Sequence, residues 1–327
     1  MIRGAWLHMT NKEVANATND ETSLTEHAIC QSTRSLEGKT VIVTGGNSGI
    51  GKECCRDFIR RGARVILACR SLTRGNDAKL DIEQDTGIFG NLIVMIVDLS
   101  SLKSVRQFAK EFKEKEKRLD ILLNNAGLVR TTNRFSEDGF EATMATNHTG
   151  HFLLTYLLID MLKSCAPSRV VNVTSIGHYS CDDMMFENFH NRGCCGSSQF
   201  KLYSRSKAAN ILFAQELTRR FSKDGVTAYS AHPGFVLTNF NTHFSACSDC
   251  FYVLAVKCCM RRDQAYVKSA EQGAQTPIHC CVTEEIEHEA GSYYHECKVR
   301  QPSKLCRDEK NALRLWDISS ELVGATW

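Results

Sequence analysis

The stretch Lys39-Thr-Val-Ile-Val-Thr-Gly-Gly-Asn-Ser-Gly-Ile-Gly51 is a short apolar run that breaks into glycines. Val41, Ile42 and Val43 are contiguous and β-branched, as in a strand buried on both faces of a parallel sheet, so a strand is expected over 40–44. From Ile50 onward Cys54, Phe58 and Ile59 recur at helical spacing, which starts a helix at the last glycines. Gly45, Gly49 and Gly51, with Asn47, Ser48 and Ile50 between them, have no side chains at the points where an anion would approach the first helical N–H groups. This reads as a pyrophosphate cradle. Turns also collect glycine, and the G-x-x-x-G-x-G spacing differs from the common G-x-G-x-x-G fingerprint, so the segment alone leaves a plain turn open.

Working outward, strand and helix alternate. Helix 50–61 ends in Arg60-Arg-Gly62, and strands are expected at 64–69, 92–98, 120–123, 169–174 and 226–231, with a short last strand over 291–295. Helices are expected near 73–85, 101–117, 137–164 and 201–221, with a helical extension over 301–327. The expected architecture is an α/β, Rossmann-type doubly wound parallel sheet with helices on both faces, in a single domain over 38–300. Residues 1–37 are polar and aperiodic and are read as a disordered tail.

Composition narrows the partners. With 327 residues, 43% hydrophobic content and a net charge of +3, the chain reads as a soluble, enzyme-sized domain with no nucleic-acid partner. The 16 cysteines include the adjacent pairs Cys54-Cys55, Cys194-Cys195, Cys258-Cys259 and Cys280-Cys281, which suit reduced thiols in a cytoplasmic setting better than a disulfide framework. Cys247, Cys250, Cys258 and Cys259 could be drawn as a zinc site, but no second pair of ligands completes it, and no metal is expected. No signal peptide or membrane-spanning run is seen, the most apolar part of the tail being far shorter than the ~20 residues a span needs.

In an open parallel sheet, ligands bind beyond the carboxyl ends of the strands. Here those ends are the glycine cradle, Cys69-Arg70, Asp98-Leu99, Asn124-Asn-Ala-Gly127, Ser175 and Pro233-Gly234. Arg70 stands about twenty residues past the glycines, where an acidic residue would accept from a ribose 2′-OH; a guanidinium there attracts a 2′-phosphate instead, so the expected cofactor is NADP(H). A plain surface cation is the alternative. Asp98 could accept from the adenine amine or cap the helix that follows it. Tyr203 and Lys207 lie four apart on one helix face, so the ammonium can stabilise a phenolate whose pKa is otherwise near 10, while Ser175 can donate to a substrate oxygen. Y-x-x-x-K is common by chance; its meaning comes from the other strand ends.

Thr44-Gly-Gly-Asn-Ser-Gly-Ile-Gly51, Asn124-Asn-Ala-Gly127, Ser175, Tyr203-Ser-Arg-Ser-Lys207 and Pro233-Gly234 together resemble the short-chain dehydrogenase/reductase family. The stretches Arg64 to Arg70, Asn147 to Leu154, Ala166 to Val173, Ser206 to Phe213 and Arg314 to Asp317 resemble, more narrowly, its retinol dehydrogenase group. The resemblance implies Tyr203 as acid/base, with Lys207 lowering its pKa and binding the nicotinamide ribose, and Ser175 as the substrate-oxygen donor. It implies that Asn147 holds a water in the proton relay, that Asn125, Ala126 and Gly127 lie under the adenine ribose, and that Pro233, Gly234, Val236 and Thr238 lie near the nicotinamide. The implied activity is interconversion of a retinoid, or similar hydrophobic alcohol, and its carbonyl; a steroid or other lipid carbonyl is the alternative, and a non-catalytic cofactor-binding protein a more distant one.

The polar tail departs from relatives that carry an apolar N-terminal anchor. Segments 176–200 and 235–262 would wall the substrate cleft, and the second, with Phe235, Phe240, Phe244, Phe251 and Tyr252, suits a small hydrophobic substrate. Read as an amphipathic lid, it allows a peripheral membrane contact, as at the endoplasmic reticulum; a core-facing helix with a basic rim is the other reading. A homodimer is held open.

Overall fold

The computed structural model describes residues 27–129, 135–189, 199–236 and 267–327. Thr40–Thr44 (β1) leads into Gly49–Arg60 (α1), and Arg64–Cys69 (β2), Leu72–Thr86 (α2), Leu92–Ile96 (β3), Leu102–Lys115 (α3) and Ile121–Asn124 (β4) continue the alternation. Gly150–Ser164 (α4), Ser168–Val173 (β5), Gln199–Phe221 (α5) and Val226–His232 (β6) follow. Phe235–Val236 (β7) pairs with Val267–Lys268 (β8); Ala270–Val282 (α6), Tyr293–His295 (β9), Lys298–Arg300 (β10) and Glu309–Val323 (α7) complete the described elements.

The main sheet runs β10-β9-β6-β5-β4-β1-β2-β3. Every pairing in it is parallel except the β9–β10 hairpin at the edge. β1 sits between β2 and β4, with Val41 opposite both Val65 and Ile121. Chain order reverses there, which opens a crevice at the carboxyl end of β1.

Alternation along β1 builds both layers of core. Val41 and Val43 pack with Phe58 and Ile59 of α1, Ile82 of α2 and Ile278 of α6. Ile42 points the other way, into a cluster with Phe108 and Phe112 of α3, Phe152 of α4, Phe213 of α5 and Trp316 of α7. A strand buried on both faces reads as a continuous apolar run because each face claims every second residue.

Four features differ from the sequence expectation. The helix expected over 137–164 is broken: a turn of α-helix at Ala142–Met144 passes into a π-helical turn at Ala145–Thr149 before α4. The Gly150 N–H reaches back to the Ala145 carbonyl, one residue further than in an α-helix. A Cβ at Gly150 would stand 2.1 Å from the Leu99 carbonyl oxygen, so only glycine lets the helix come this close to the β3–α3 loop.

Residues 27–37, the described part of the expected disordered tail, have no regular secondary structure but are tied down. The Ala28 and Cys30 N–H groups donate to Glu296 Oε2 and Gln275 Oε1, both at 3.0 Å, and Arg61 Nη1 donates to the Ser32 carbonyl at 2.9 Å. β3 stops at Ile96, two residues early, where the chain turns toward α3. α6 and β10 were not expected. Residues 1–26, Cys194, Cys195 and the Cys247 to Cys259 set lie outside the described residues, as does the expected cleft wall beyond Val236. Among the described residues, no helix is long and apolar enough to cross a membrane.

Candidate active site

The cradle forms because β1 ends at the sheet's switch point and α1 starts at once. Ser48, the residue before α1, is extended and its side chain makes no capping hydrogen bond; the first turn carries no acidic residue. By contrast α2, α3, α6 and α7 begin under capping oxygens of Ser71, Ser101, Ser269 and Asp308. The α1 N-terminus therefore offers uncapped N–H groups and a positive dipole end to an anion, which fits the pyrophosphate of a dinucleotide. Gly45 (φ +67°) and Gly49 (φ +52°) take left-handed conformations that favour glycine. Asn47 lies in the same turn, and Ile50 packs beside Gly273 at the start of α6, where Val236 also converges.

β4 ends against this cradle. Thr44 Oγ1 accepts the N–H groups of Asn125 and Ala126 at 2.9 and 3.0 Å, and Asn125 Nδ2 donates to the Thr44 carbonyl at 2.7 Å. The turn after β4 is thus fastened to the last residue of β1. A ladder of buried amides sets the depth of the next elements: Asn124 Nδ2 donates to Asn172 Oδ1 (2.9 Å), and Asn172 Nδ2 donates to the Asn210 carbonyl on α5 (3.2 Å).

Asn147, Ser175, Tyr203 and Lys207 come together beyond these strand ends. The π-helical turn carries Asn147, whose Nδ2 donates to the Leu128 carbonyl (3.0 Å) and to Ser206 Oγ (2.9 Å), while its Oδ1 accepts from the Leu128 N–H (2.8 Å). Gly127 lies where Lys207 Nζ and Asn147 Oδ1 meet: an added Cβ would stand 3.3 and 3.6 Å from them. Lys207 Nζ donates to the Val173 carbonyl at 3.0 Å and stands 5.6 Å from the centre of the Tyr203 ring. Burial pulls the Lys207 ammonium down to about 8, because the charged form loses its water. It remains mainly cationic at neutral pH.

Ser175 begins a short 3₁₀ turn, Ile176–Ser180, and its Oγ accepts the Gly177 N–H at 3.1 Å. That bond uses a lone pair and leaves the hydroxyl proton for another acceptor. Gly177 also brings the tyrosine near: its added Cβ would lie 3.3 Å from Tyr203 Cε1 and 3.5 Å from Ser175 Oγ. Tyr203 and Ser175 are both buried but not sealed off, each being 8% exposed.

The remaining expected residues spread along the crevice. Arg70 is exposed at the carboxyl end of β2. Asp98 is half-buried, and its Oδ1 accepts from both the N–H (2.9 Å) and the hydroxyl (2.7 Å) of Ser100. Of the two roles open to Asp98, helix capping falls instead to Ser101, whose side chain accepts from the Ser104 N–H at 3.2 Å. Leu99 is buried against Gly150. Pro233 and Gly234 follow β6, with Gly234 at φ +86° over Lys268. Thr238 lies outside the described residues. Sequence reasoning missed Thr44, His151, Asn172 and Asn210 as groups that hold the site; Asn172 and Asn210 carried a signal, a polar residue inside an apolar run, while Thr44 and His151 carried none.

Residues 39–184 match the short chain dehydrogenase family. Retinol dehydrogenase 11 of Homo sapiens is 42% identical over 300 residues, which cover 90% of this chain and 89% of that protein. Retinol dehydrogenase 12 of Mus musculus is 41% identical over 299 residues, covering 91% and 90%. Among solved structures, an uncharacterized protein from Mycobacterium paratuberculosis has a TM-score of 0.71 at 29% identity, covering 92% of this chain and 98% of that one. Sequence, fold and strand-end geometry agree: the chain belongs to the short-chain dehydrogenases, within their retinol dehydrogenase group, and is an oxidoreductase acting on CH–OH groups.

Proposed function

We propose that this enzyme uses NADP(H) to interconvert a hydrophobic alcohol, retinol in the first instance, and its carbonyl, with Tyr203 as the proton-transfer group. The observation that carries the reading is the buried Lys207, with Nζ 5.6 Å from the Tyr203 ring centre on the same face of α5. A cation at that range favours the phenolate and makes the hydroxyl a better acid. The nicotinamide supplies or accepts the hydride when bound.

In the reducing direction, Tyr203 gives its hydroxyl proton to the carbonyl oxygen as the alcohol forms. Ser175, its oxygen fixed by the Gly177 N–H, donates its own hydrogen bond to the same oxygen and holds the carbonyl in line. Lys207 would hold the ribose hydroxyls of the bound cofactor and stabilise the phenolate left behind. Asn147 fixes Leu128, four residues past β4, on one side and Ser206 on the other, so that the tyrosine helix and the β4 turn keep one spacing. Arg70, exposed beyond β2, supports the choice of a 2′-phosphorylated cofactor.

Retinol comes from the names of the relatives at 41–42% identity and from an apolar segment that begins at the exposed Phe235. The test is an NADPH-oxidation assay with retinaldehyde, a steroid ketone and a medium-chain aldehyde. Retinaldehyde is expected to turn over with the highest kcat/KM. A steroid preference would move the substrate class, and no oxidation with any of the three would refute the reading.

A further inference from the structure

His151 is a buried imidazole on the first turn of α4 whose two nitrogens touch the two halves of the site. Its Nδ1 lies 3.1 Å from the Asn147 carbonyl, and its Nε2 lies 2.8 Å from Thr44 Oγ1. A carbonyl can only accept, so the proton sits on Nδ1, and Nε2 is left as an acceptor for the Thr44 hydroxyl. Burial pushes the ring down to about 4, so it stays neutral in this tautomer throughout the working range.

The consequence falls on Thr44. Its hydroxyl has one proton and two lone pairs. The proton goes to His151 Nε2 at 2.8 Å in preference to the Leu123 carbonyl at 3.4 Å, and the lone pairs take the Asn125 and Ala126 N–H groups. Without the imidazole the hydroxyl rotor would be free to turn toward Leu123, and the turn beneath the cofactor would lose its fixed acceptor. At the other end, the Nδ1–H holds the carbonyl of the π-helical turn that carries Asn147, a turn in which backbone hydrogen bonding is already shifted by one residue.

We propose that His151 is a positioning residue that couples the cofactor cradle to the catalytic turn, its Nε2 arm fixing Thr44 and its Nδ1 arm fixing Asn147. The inference rests on the functional reading above, since it assigns one arm to dinucleotide binding and the other to turnover. A merely structural histidine, filling core volume with its polar atoms satisfied, would couple nothing, and its loss would lower stability, binding and rate together.

The two arms can be cut separately. An asparagine amide overlays imidazole Nδ1 and a glutamine amide overlays Nε2, so His151→Asn keeps the Asn147 arm and His151→Gln keeps the Thr44 arm. Each variant is folded-checked by thermal melting, titrated with NADPH by fluorescence, and assayed with retinaldehyde. For His151→Asn, NADPH Kd is expected to rise about tenfold, in the range of one lost buried hydrogen bond, with kcat within about twofold. For His151→Gln, Kd is expected to stay within about twofold while kcat falls about tenfold. Parallel changes in Kd and kcat in both variants, or no change in either, would overturn the coupling role while leaving the functional reading intact. A wild-type chain that binds no NADPH would overturn the functional reading and this inference with it. If the wild type binds NADPH but reduces no carbonyl, the functional reading fails alone, and an unchanged Kd in His151→Asn would then overturn the coupling role by itself.

Discussion

Replacing Gly51 by alanine adds one methyl inside the cradle, at a point where neither neighbour can yield. The new Cβ would stand 2.4 Å from Asn125 Nδ2 and 2.5 Å from the Gly45 carbonyl oxygen, where ordinary contact begins at 3.4 Å. The overlap is therefore about an ångström on both sides. Asn125 Nδ2 is held at 2.7 Å by the Thr44 carbonyl, and Gly45 is pinned by its own N–H to Ala68 at 2.7 Å. Overpacking of this kind costs about 1–3 kcal/mol, and losing the Asn125 hydrogen bond adds about 1 kcal/mol. The sum, about 2–4 kcal/mol, is divided between the fold and the site. If 1.4 kcal/mol of it reaches binding, NADPH Kd rises about tenfold. The control is Gly87→Ala, at the end of α2: Gly87 is at φ +69° with nothing within 4 Å of an added Cβ. That variant incurs only the left-handed backbone strain, about 1–2 kcal/mol, far from the cradle. Fluorescence titration with NADPH and thermal melting of both variants separate the cases. The reasoning is refuted if Gly51→Ala melts and binds NADPH like the wild type, or if Gly87→Ala weakens binding as much.

Two further outcomes follow from the site. Arg70→Asp is expected to lower kcat/KM for NADPH by at least about tenfold and to raise the relative efficiency of NADH, since in the proposed role the exposed guanidinium at the end of β2 would recognise a 2′-phosphate and a carboxylate would repel it; unchanged cofactor preference would reject that role. Acid should unfold the protein early, because burial holds His151 and His178 down to about 4, against about 6.5 in the unfolded chain. Below pH 6.5 the unfolded state takes up protons that the folded state refuses, so this stability is present above 6.5 and lost as pH falls to 4, about 3 kcal/mol per histidine. A melting temperature that stays level from pH 7 to pH 4 would contradict it.

The strands were legible where they lie deep in the sheet. β1 and β2 match their expected limits because residues buried on both faces are apolar without interruption, and the break into Gly45 or Arg70 is abrupt. β10 was not legible: Lys298, Val299 and Arg300 form an edge strand of three residues, too short and too polar to show an apolar alternation. α6 hides behind Pro277, a residue that ordinarily ends helices, and is held by packing on α1 and by the capping box of Ser269 and Gln272. The segment 27–37 is fastened by bonds to residues 275, 282 and 296, which no local reading of a polar stretch can anticipate.

The site divides in the same way. Residues at strand ends, and the Tyr203/Lys207 pair at helical spacing, announce themselves by position. The π-helical turn does not, since Ala145–Thr149 is buried like the helical residues on either side of it and the shift of one residue is visible only in the backbone. Thr44 and His151 are legible only once the fold has brought them to 2.8 Å across 107 residues of chain.

In the proposed chemistry Tyr203 transfers the proton while the cradle and Lys207 hold the cofactor. Tyr203→Phe removes one hydroxyl and keeps the ring that lies beside Lys207. NADPH binding, measured by fluorescence titration, is expected to stay within about twofold of the wild type, while NADPH oxidation with retinaldehyde falls by at least about a hundredfold, the lower range for a lost general acid. Turnover at the wild-type rate in that variant would contradict the account.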